Sequence, residues 1–336
     1  MRCSKMVTLK EIAEKAGVHP SVISKVVNGK PVSIRDDTRN RILALLKELN
    51  YQPNKAAQNL KKGSNRAIGM VVPDFFNTVY AEIIHGAENM AAQLEYTLFV
   101  YSLKQKELQD DYLPRSIKQQ IDGILIASSD IDDSDVLALM DELPLVLVNR
   151  LSKGIDSYVV ADDSGGAKKA VAHLLELGHT KIAHISGPLY TGTGLNRFQG
   201  YRAALNEKDI PFHPALMVEA PYSLVGGYNA MNELFKAPVQ PTALFASNLL
   251  VAIGALKACN EHNIRVPDDL SIVTLHDAEI AAMMTPALTT VKLPLYEMGE
   301  TAVKQLVSLI DENHKKGTVV EGTELIRRGS TKKWKR

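Results

Sequence analysis

Along residues 8–28, TLKEIAEKAGVHPSVISKVVN, apolar side chains recur at helical spacing in two short blocks with a glycine between them. Leu9, Ile12, Ala13 and Ala16 mark one face of a first helix. Thr8 can cap it, with Glu11 three residues later as the capping-box partner. Gly17 can take the positive φ that ends this helix and turns the chain. Pro20 suits the first turn of a second helix, where its missing N–H is no loss. There Ile23, Val26 and Val27 face inward, while Pro20, Ser21, Ser24, Lys25 and Asn28 face outward. The pattern is that of a helix-turn-helix, whose second helix presents small polar and cationic groups that a DNA major groove accepts. An ordinary amphipathic hairpin fits the same spacing.

A third helix follows, with Ile42, Leu45, Leu46 and Leu49 as its stripe and Asp36 or Ser33 as its cap. Pro53 breaks the pattern and Asn54 can start a new helix. Residues 55–62, KAAQNLKK, hold too few apolar groups for a helix that short to persist alone in water. They fold on contact with a partner or serve as a plain tether.

From Arg66 onward the period changes. Short β-branched runs at 68–72, 96–101, 123–128, 145–149, 181–186, 242–247 and 270–275 alternate with helical patterns near 78–93, 108–119, 164–177, 195–207, 225–236 and 249–262. This rhythm predicts mostly parallel sheet covered by helices on both faces. About 270 residues of it predict an α/β fold of two Rossmann-like lobes rather than one sheet. Ligands in such sheets bind beyond the carboxyl ends of strands. Those ends fall at Pro73–Asp74, Ser128–Ser129, Asn149–Arg150, Gly187–Pro188, Asn248 and His276.

Charge sharpens the division. Residues 1–66 hold 14 Lys and Arg against 5 Asp and Glu, and residues 67–336 hold 25 against 33, so a net charge of +1 hides a basic headpiece on an acidic body. The basic part is the electrostatic footprint of a phosphate-binding module. No apolar run approaches a membrane span. The charged N-terminus has no secretory pattern, and two cysteines are too few for a disulfide framework, which together predict a cytoplasmic, nucleoid-associated protein. Scattered histidines give no metal site. Gly192-Thr193-Gly194 begins like a dinucleotide fingerprint but has Arg197 at the third glycine, and no nucleophile, phosphate-loop or paired-carboxylate motif is present. The sequence therefore predicts neither an enzyme nor a cofactor.

The headpiece motifs VTLKEIAEKAGV, SKVVNG, TRNRI and LNYQPN, with the core motifs IGMVVPD, GILIAS, HLLELGHTKIAHISGP, RFQGYRAAL, PTALFASN, VPDDLSIV, TPALTTVKLPLYEMG and LIRRGS, resemble the LacI/GalR family of bacterial transcription regulators over nearly the whole chain. The resemblance implies a helix-turn-helix headpiece (1–53), a hinge helix and linker (54–65), and a core of two lobes like periplasmic sugar-binding proteins (66–330). The first lobe would take about 66–161 and 293–320, the second about 162–292 and 321–330. Residues 331–336 read as a disordered basic tail. With no appended heptad helix, a homodimer on a near-palindromic operator is the expectation, with Ala57 and Leu60 of the hinge helix entering the minor groove.

The resemblance assigns base reading to Pro20, Ser21 and Lys25, and places Thr8, His19, Val22, Ser24, Asn28, Asn54 and Lys61 at the DNA. Three departures bear on operator choice. His19 stands where the family has a hydroxyl cap, Val22 where it has Thr, and Lys25 where it has Arg, which loses the guanidinium fork. For the ligand cleft the resemblance implies Asp74, Tyr80, Ser128, Asn149, Arg150, Arg197, Tyr222, Asn248 and His276. Arg197 matches the family's inducer-gripping arginine, with a structural pair to Asp162 as the alternative. Leu249 and His276 replace two positions that are commonly acidic. That makes the cleft less negative and points to a sugar phosphate or sugar acid, while a packing Leu249 and a His276 donating to a sugar hydroxyl fit a neutral carbohydrate. The expected function is a ligand-responsive repressor of carbohydrate catabolism. A corepressed regulator with a non-sugar metabolite, or a small-molecule binding protein that ignores DNA, is the alternative.

Overall fold

A computed structural model describes residues 8–27, 29, 31–49, 51, 64–102, 115–128, 131–312 and 314–334. The chain divides into two compact units, residues 1–65 and 66–336.

In the first unit, α1 (Leu9–Ala16), α2 (Pro20–Val27) and α3 (Asp36–Glu48) enclose Ile12, Ala13, Ala16, Ile23, Val26 and Ile42. The capping box of α1 forms in both directions, with Thr8 N–H donating to Glu11 Oε2 at 2.8 Å and Glu11 N–H to Thr8 Oγ1 at 3.3 Å. Gly17 closes α1 at φ 62°. A Cβ would clash with the local backbone at that angle, so the tight turn needs this residue. The expected cap of α3 is not made: Arg35 takes the cap position with no side-chain hydrogen bond, and Asp36 and Asp37 fall inside the first turn. Their carboxylates favour the helix N-terminus through its dipole instead.

The second unit holds two six-stranded sheets. The first runs in the order β11-β5-β4-β3-β1-β2, from β1 (Ala67–Val72), β2 (Thr97–Ser102), β3 (Gly123–Ile126), β4 (Leu145–Val148), β5 (Tyr158–Ala161) and β11 (Gly317–Val320), all parallel. The second runs in the order β12-β10-β9-β8-β6-β7, from β6 (Ile182–Ser186), β7 (Met217–Glu219), β8 (Ala243–Ala246), β9 (Ser271–Leu275), β10 (Thr289–Lys292) and β12 (Glu324–Ile326), with β12 antiparallel. Strand order reverses beside β1 in one sheet and beside β6 in the other, which opens a crevice at the strand ends of each.

The covering helices are α4 (Thr78–Gln93), α5 (Arg115–Lys118), α6 (Asp133–Glu142), α7 (Asp163–Glu176), α8 (Gly192–Asn206), α9 (Leu224–Leu234), α10 (Leu249–Glu261), α11 (Glu279–Met283) and α12 (Leu295–Glu312). Helices α4 and α12 cross with Gly86 against the Tyr296 carbonyl and Gly299 against the Ile83 carbonyl, where no side chain fits. Of the helix expected near 108–119, Arg115–Lys118 is described and 103–114 lie outside the described residues.

The expected disordered tail is a second difference. Trp334 N–H donates to the Leu177 carbonyl at 2.8 Å, the indole leans on His179 with ring centroids 5.7 Å apart, and His179 Nε2 meets the Lys332 carbonyl at 3.0 Å. Residues through 334 are part of the second lobe because their backbone finds partners there.

Candidate functional site

On the headpiece, Ser21 and Lys25 are exposed along α2, and Pro20 and Ser24 are half-buried. Val22 is half-buried, and part of its side chain packs against the headpiece core. Thr8 spends its hydroxyl on the α1 cap. His19 serves better than a poor cap: its Nδ1 accepts Ser21 N–H at 3.3 Å and sits 2.8 Å from Ser21 Oγ. Asn28, Asn54, Ala57, Leu60 and Lys61 lie outside the described residues.

The second unit has a cavity of about 970 Å³ at the strand ends. Helix caps form much of its wall. Asn77 Oδ1 accepts Val79 N–H at 3.2 Å, Thr191 Oγ1 accepts Gly194 N–H at 3.1 Å, and Asn248 Oδ1 accepts Val251 N–H at 2.9 Å. All three side chains line the cavity. Capping occupies the Asn248 oxygen and leaves its amide N–H groups for a ligand. Asn149, at φ 55°, also lines it, as do Tyr80 and Tyr222.

Arg197 lies at the base of this wall, 3% exposed. Its Nε donates to Asp163 Oδ1 at 2.7 Å, one NH group donates to the Ser247 carbonyl at 3.0 Å, and its guanidinium lies 5.4 Å from the centre of the Tyr222 ring. The partner is Asp163 rather than Asp162, whose carboxylate instead caps α7 through Gly165 N–H at 2.8 Å. Burial alone would lower the Arg197 pKa, but Asp163 beside it reverses the effect and holds the guanidinium charged. Its positive charge is therefore already balanced by a carboxylate that is 3% exposed. Behind it, His184 on β6 stacks on Phe245 with centroids 4.7 Å apart and donates through Nδ1 to the Phe245 carbonyl at 3.0 Å. Burial drives its pKa down to about 4.

Three expected ligand residues stand outside the cavity lining. Ser128 is fully buried. Arg150 gives its NH groups to the Ser128 and Ile131 carbonyls and to Asp133, at 2.5, 2.7 and 2.6 Å, and so braces a loop. His276, at φ 71° and 2% exposed, joins the two lobes: Nδ1 is 3.4 Å from Thr78 Oγ1 and Nε2 is 3.6 Å from Glu82 Oε1, both on α4. Leu249 is fully buried in the second-lobe core. Sequence reasoning missed Asp163 and the aromatic groups Phe75, Phe76, Tyr101 and Tyr190, together with Glu219. The doubled phenylalanine after Pro73-Asp74 was the available signal, since large apolar groups in a polar turn are unusual.

Residues 8–54 match the model of bacterial regulatory proteins of the lacI family, and residues 171–331 match a periplasmic binding protein-like domain. The HTH-type transcriptional repressor PurR of Mannheimia succiniciproducens is 33% identical over 333 residues, covering 98% of this chain and 99% of that protein. The lac repressor dimer bound to operator and the anti-inducer ONPF superposes with a TM-score of 0.83 at 27% identity, covering 98% of this chain and all of that one. A complex of the transcriptional regulator CelR with cellobiose superposes at 0.72 and 28% identity, covering 96% and 99%. A helix-turn-helix unit followed by a two-lobed binding core defines a DNA-binding transcriptional repressor that responds to a small molecule, and not an enzyme. The chain belongs to the LacI family.

Proposed function

We propose that this repressor acts in the cytoplasm as a dimer on a near-palindromic operator and is corepressed. A non-sugar metabolite with a flat ring, of the purine-base class, enters the cavity and strengthens operator binding. The observation that carries the choice of ligand is the Arg197–Asp163 pair. A sugar phosphate or sugar acid needs an unspent cation, and among the described lining residues Arg197 is the one cation and is already neutralised. The acidic effector suggested by Leu249 and His276 loses its support, since neither side chain lines the cavity. Tyr80, Tyr101 and Tyr222 offer faces to a ring, and Asn149 and Asn248 offer amides to its edge. The 33% identity with a PurR repressor along 98% of the chain supports the same choice.

By linkage, ligand and operator then strengthen each other by the same factor. The test is fluorescence anisotropy on an operator selected from random duplexes, with adenine, guanine, hypoxanthine, ribose or cellobiose added. A purine base is expected to tighten binding by about fivefold or more, the range of ordinary coupling. Weakening by a sugar, with no response to any base, overturns the reading. That outcome would favour a sugar-induced repressor, the second reading, which the likeness to the CelR–cellobiose complex supports.

A further inference from the structure

The mouth of the cavity carries a second set of groups. Phe75 is 52% exposed, Phe76 88% and Tyr190 79%, and all three line the opening. Phe75 and Phe76 come from the turn after β1, and Tyr190 from the loop after β6, so the opening has an aromatic group from each lobe. Exposed rings of this size, held in water at a cavity rim, mark an interaction surface. Two carboxylates stand among them. Asp74 Oδ1 accepts the Phe76 N–H at 2.9 Å, and Glu219 Oε1 accepts the Leu189 N–H at 3.3 Å. Both residues line the cavity and both are exposed, and Arg197, paired with Asp163, offers no free positive charge behind them.

Aromatic faces and carboxylates attract the same chemical group. Ring faces stack on a flat ring and draw a cation, and carboxylates accept the N–H groups of a neutral or charged amine and add Coulomb attraction where the amine is charged. The same pair repels a phosphate. We infer that Asp74 and Glu219, with Phe76 and Tyr190, make the mouth of this cavity select an amine-bearing, unphosphorylated ligand and reject the phosphorylated form of the same molecule. This rests on the reading that the cavity is the effector site, and narrows it from a class of ring to the groups that ring carries.

Calorimetry with two pairs of probes tests it, adenosine against adenosine 5′-monophosphate and glucosamine against glucosamine 6-phosphate, with adenine measured beside them. The amine of at least one pair is expected to bind, with its phosphorylated counterpart about tenfold weaker or undetectable, as one to two like-charge contacts require. Asp74→Asn with Glu219→Gln should narrow that difference to under threefold, and Phe76→Ala with Tyr190→Ala should weaken the amine about tenfold through the lost ring contacts. All four positions are at the surface, and thermal melting checks that the variants fold. If glucosamine binds and adenine does not, the selection stands and the purine reading falls. If adenosine and its 5′-monophosphate bind alike, the purine reading stands and the selection falls. No binding of either amine at 10 mM overturns both.

Discussion

The two lobes share a strand order and differ at the strand where that order reverses. In the first lobe β1 is AIGMVV, apolar and buried throughout. In the second lobe β6 is IAHIS, equally buried, with a histidine at its middle and a serine at its end. Around His184 lie Phe245, Tyr201 and the Arg197–Asp163 pair. The arginines repeat the contrast. Arg150 of the first lobe braces a loop through two carbonyls, and its carboxylate partner Asp133 is half exposed. Arg197 is equally buried, but its partner is buried too and its face is turned to the cavity. The first lobe is an apolar frame with a ring-rich lip, and the second holds buried charge whose cost is offset only while every partner is in place.

Breaking the second lobe should therefore cost most. Asp163→Ala leaves a buried guanidinium unpaired, and urea unfolding should report a loss of about 3–5 kcal/mol. Asp163→Leu with Arg197→Met should restore most of that stability while leaving no effector response in the operator assay.

Acid is the next lever. The His184 pKa is lowered in the folded state, to about 4, below the 6.5 of a free imidazole. Between those values the unfolded chain binds the proton and the folded one does not, so stability falls as pH drops from 6.5 through 4. The total is on the order of 3 kcal/mol. His184→Phe should flatten the Tm profile over that window; an unchanged profile would remove the histidine from the account.

Arg150→Ala should cost about 1–3 kcal/mol, because two buried carbonyls lose their donor, and should leave ligand affinity within about threefold. A larger loss of affinity would return Arg150 to the ligand site. The smallest effect is expected in the headpiece, where Thr8→Ala removes the α1 cap at a cost of about 1 kcal/mol, read by melting the isolated unit.

The elements with strong periodicity were legible in the sequence, and seven strands lie within about two residues of their expected bounds. The missed strands, β5, β7, β10, β11 and β12, have three or four residues each and none is buried throughout, unlike the equally short β3, β4 and β8, whose continuous apolar runs registered. The helix α12 is a different failure. Leu295, Met298, Ala302, Val303, Leu306 and Leu309 keep helical spacing through 18 residues, and the signal was present but unread. At the site, resemblance brought Asp74, Tyr80, Asn149, Arg197, Tyr222 and Asn248 to the cavity wall. It could not tell that Arg150 turns away or that Asp163 stands beside Arg197. Those facts depend on rotamers and on contacts across 17 to 34 residues, which no local pattern encodes.

The order of the strands also bears on how the protein is made. The first lobe is completed by α12 and β11, and the second by β10, β12 and the strap through Trp334. Neither sheet can close during synthesis until β10, β11 and β12, between Thr289 and Ile326, have left the ribosome, whereas the headpiece is a separate unit already complete by residue 65. At ordinary rates of translation the nascent chain thus carries a finished headpiece for some tens of seconds before its core exists. Throughout that interval the headpiece has no effector site to answer to, and the half-made sheets leave apolar edge strands unpaired, a surface prone to aggregate.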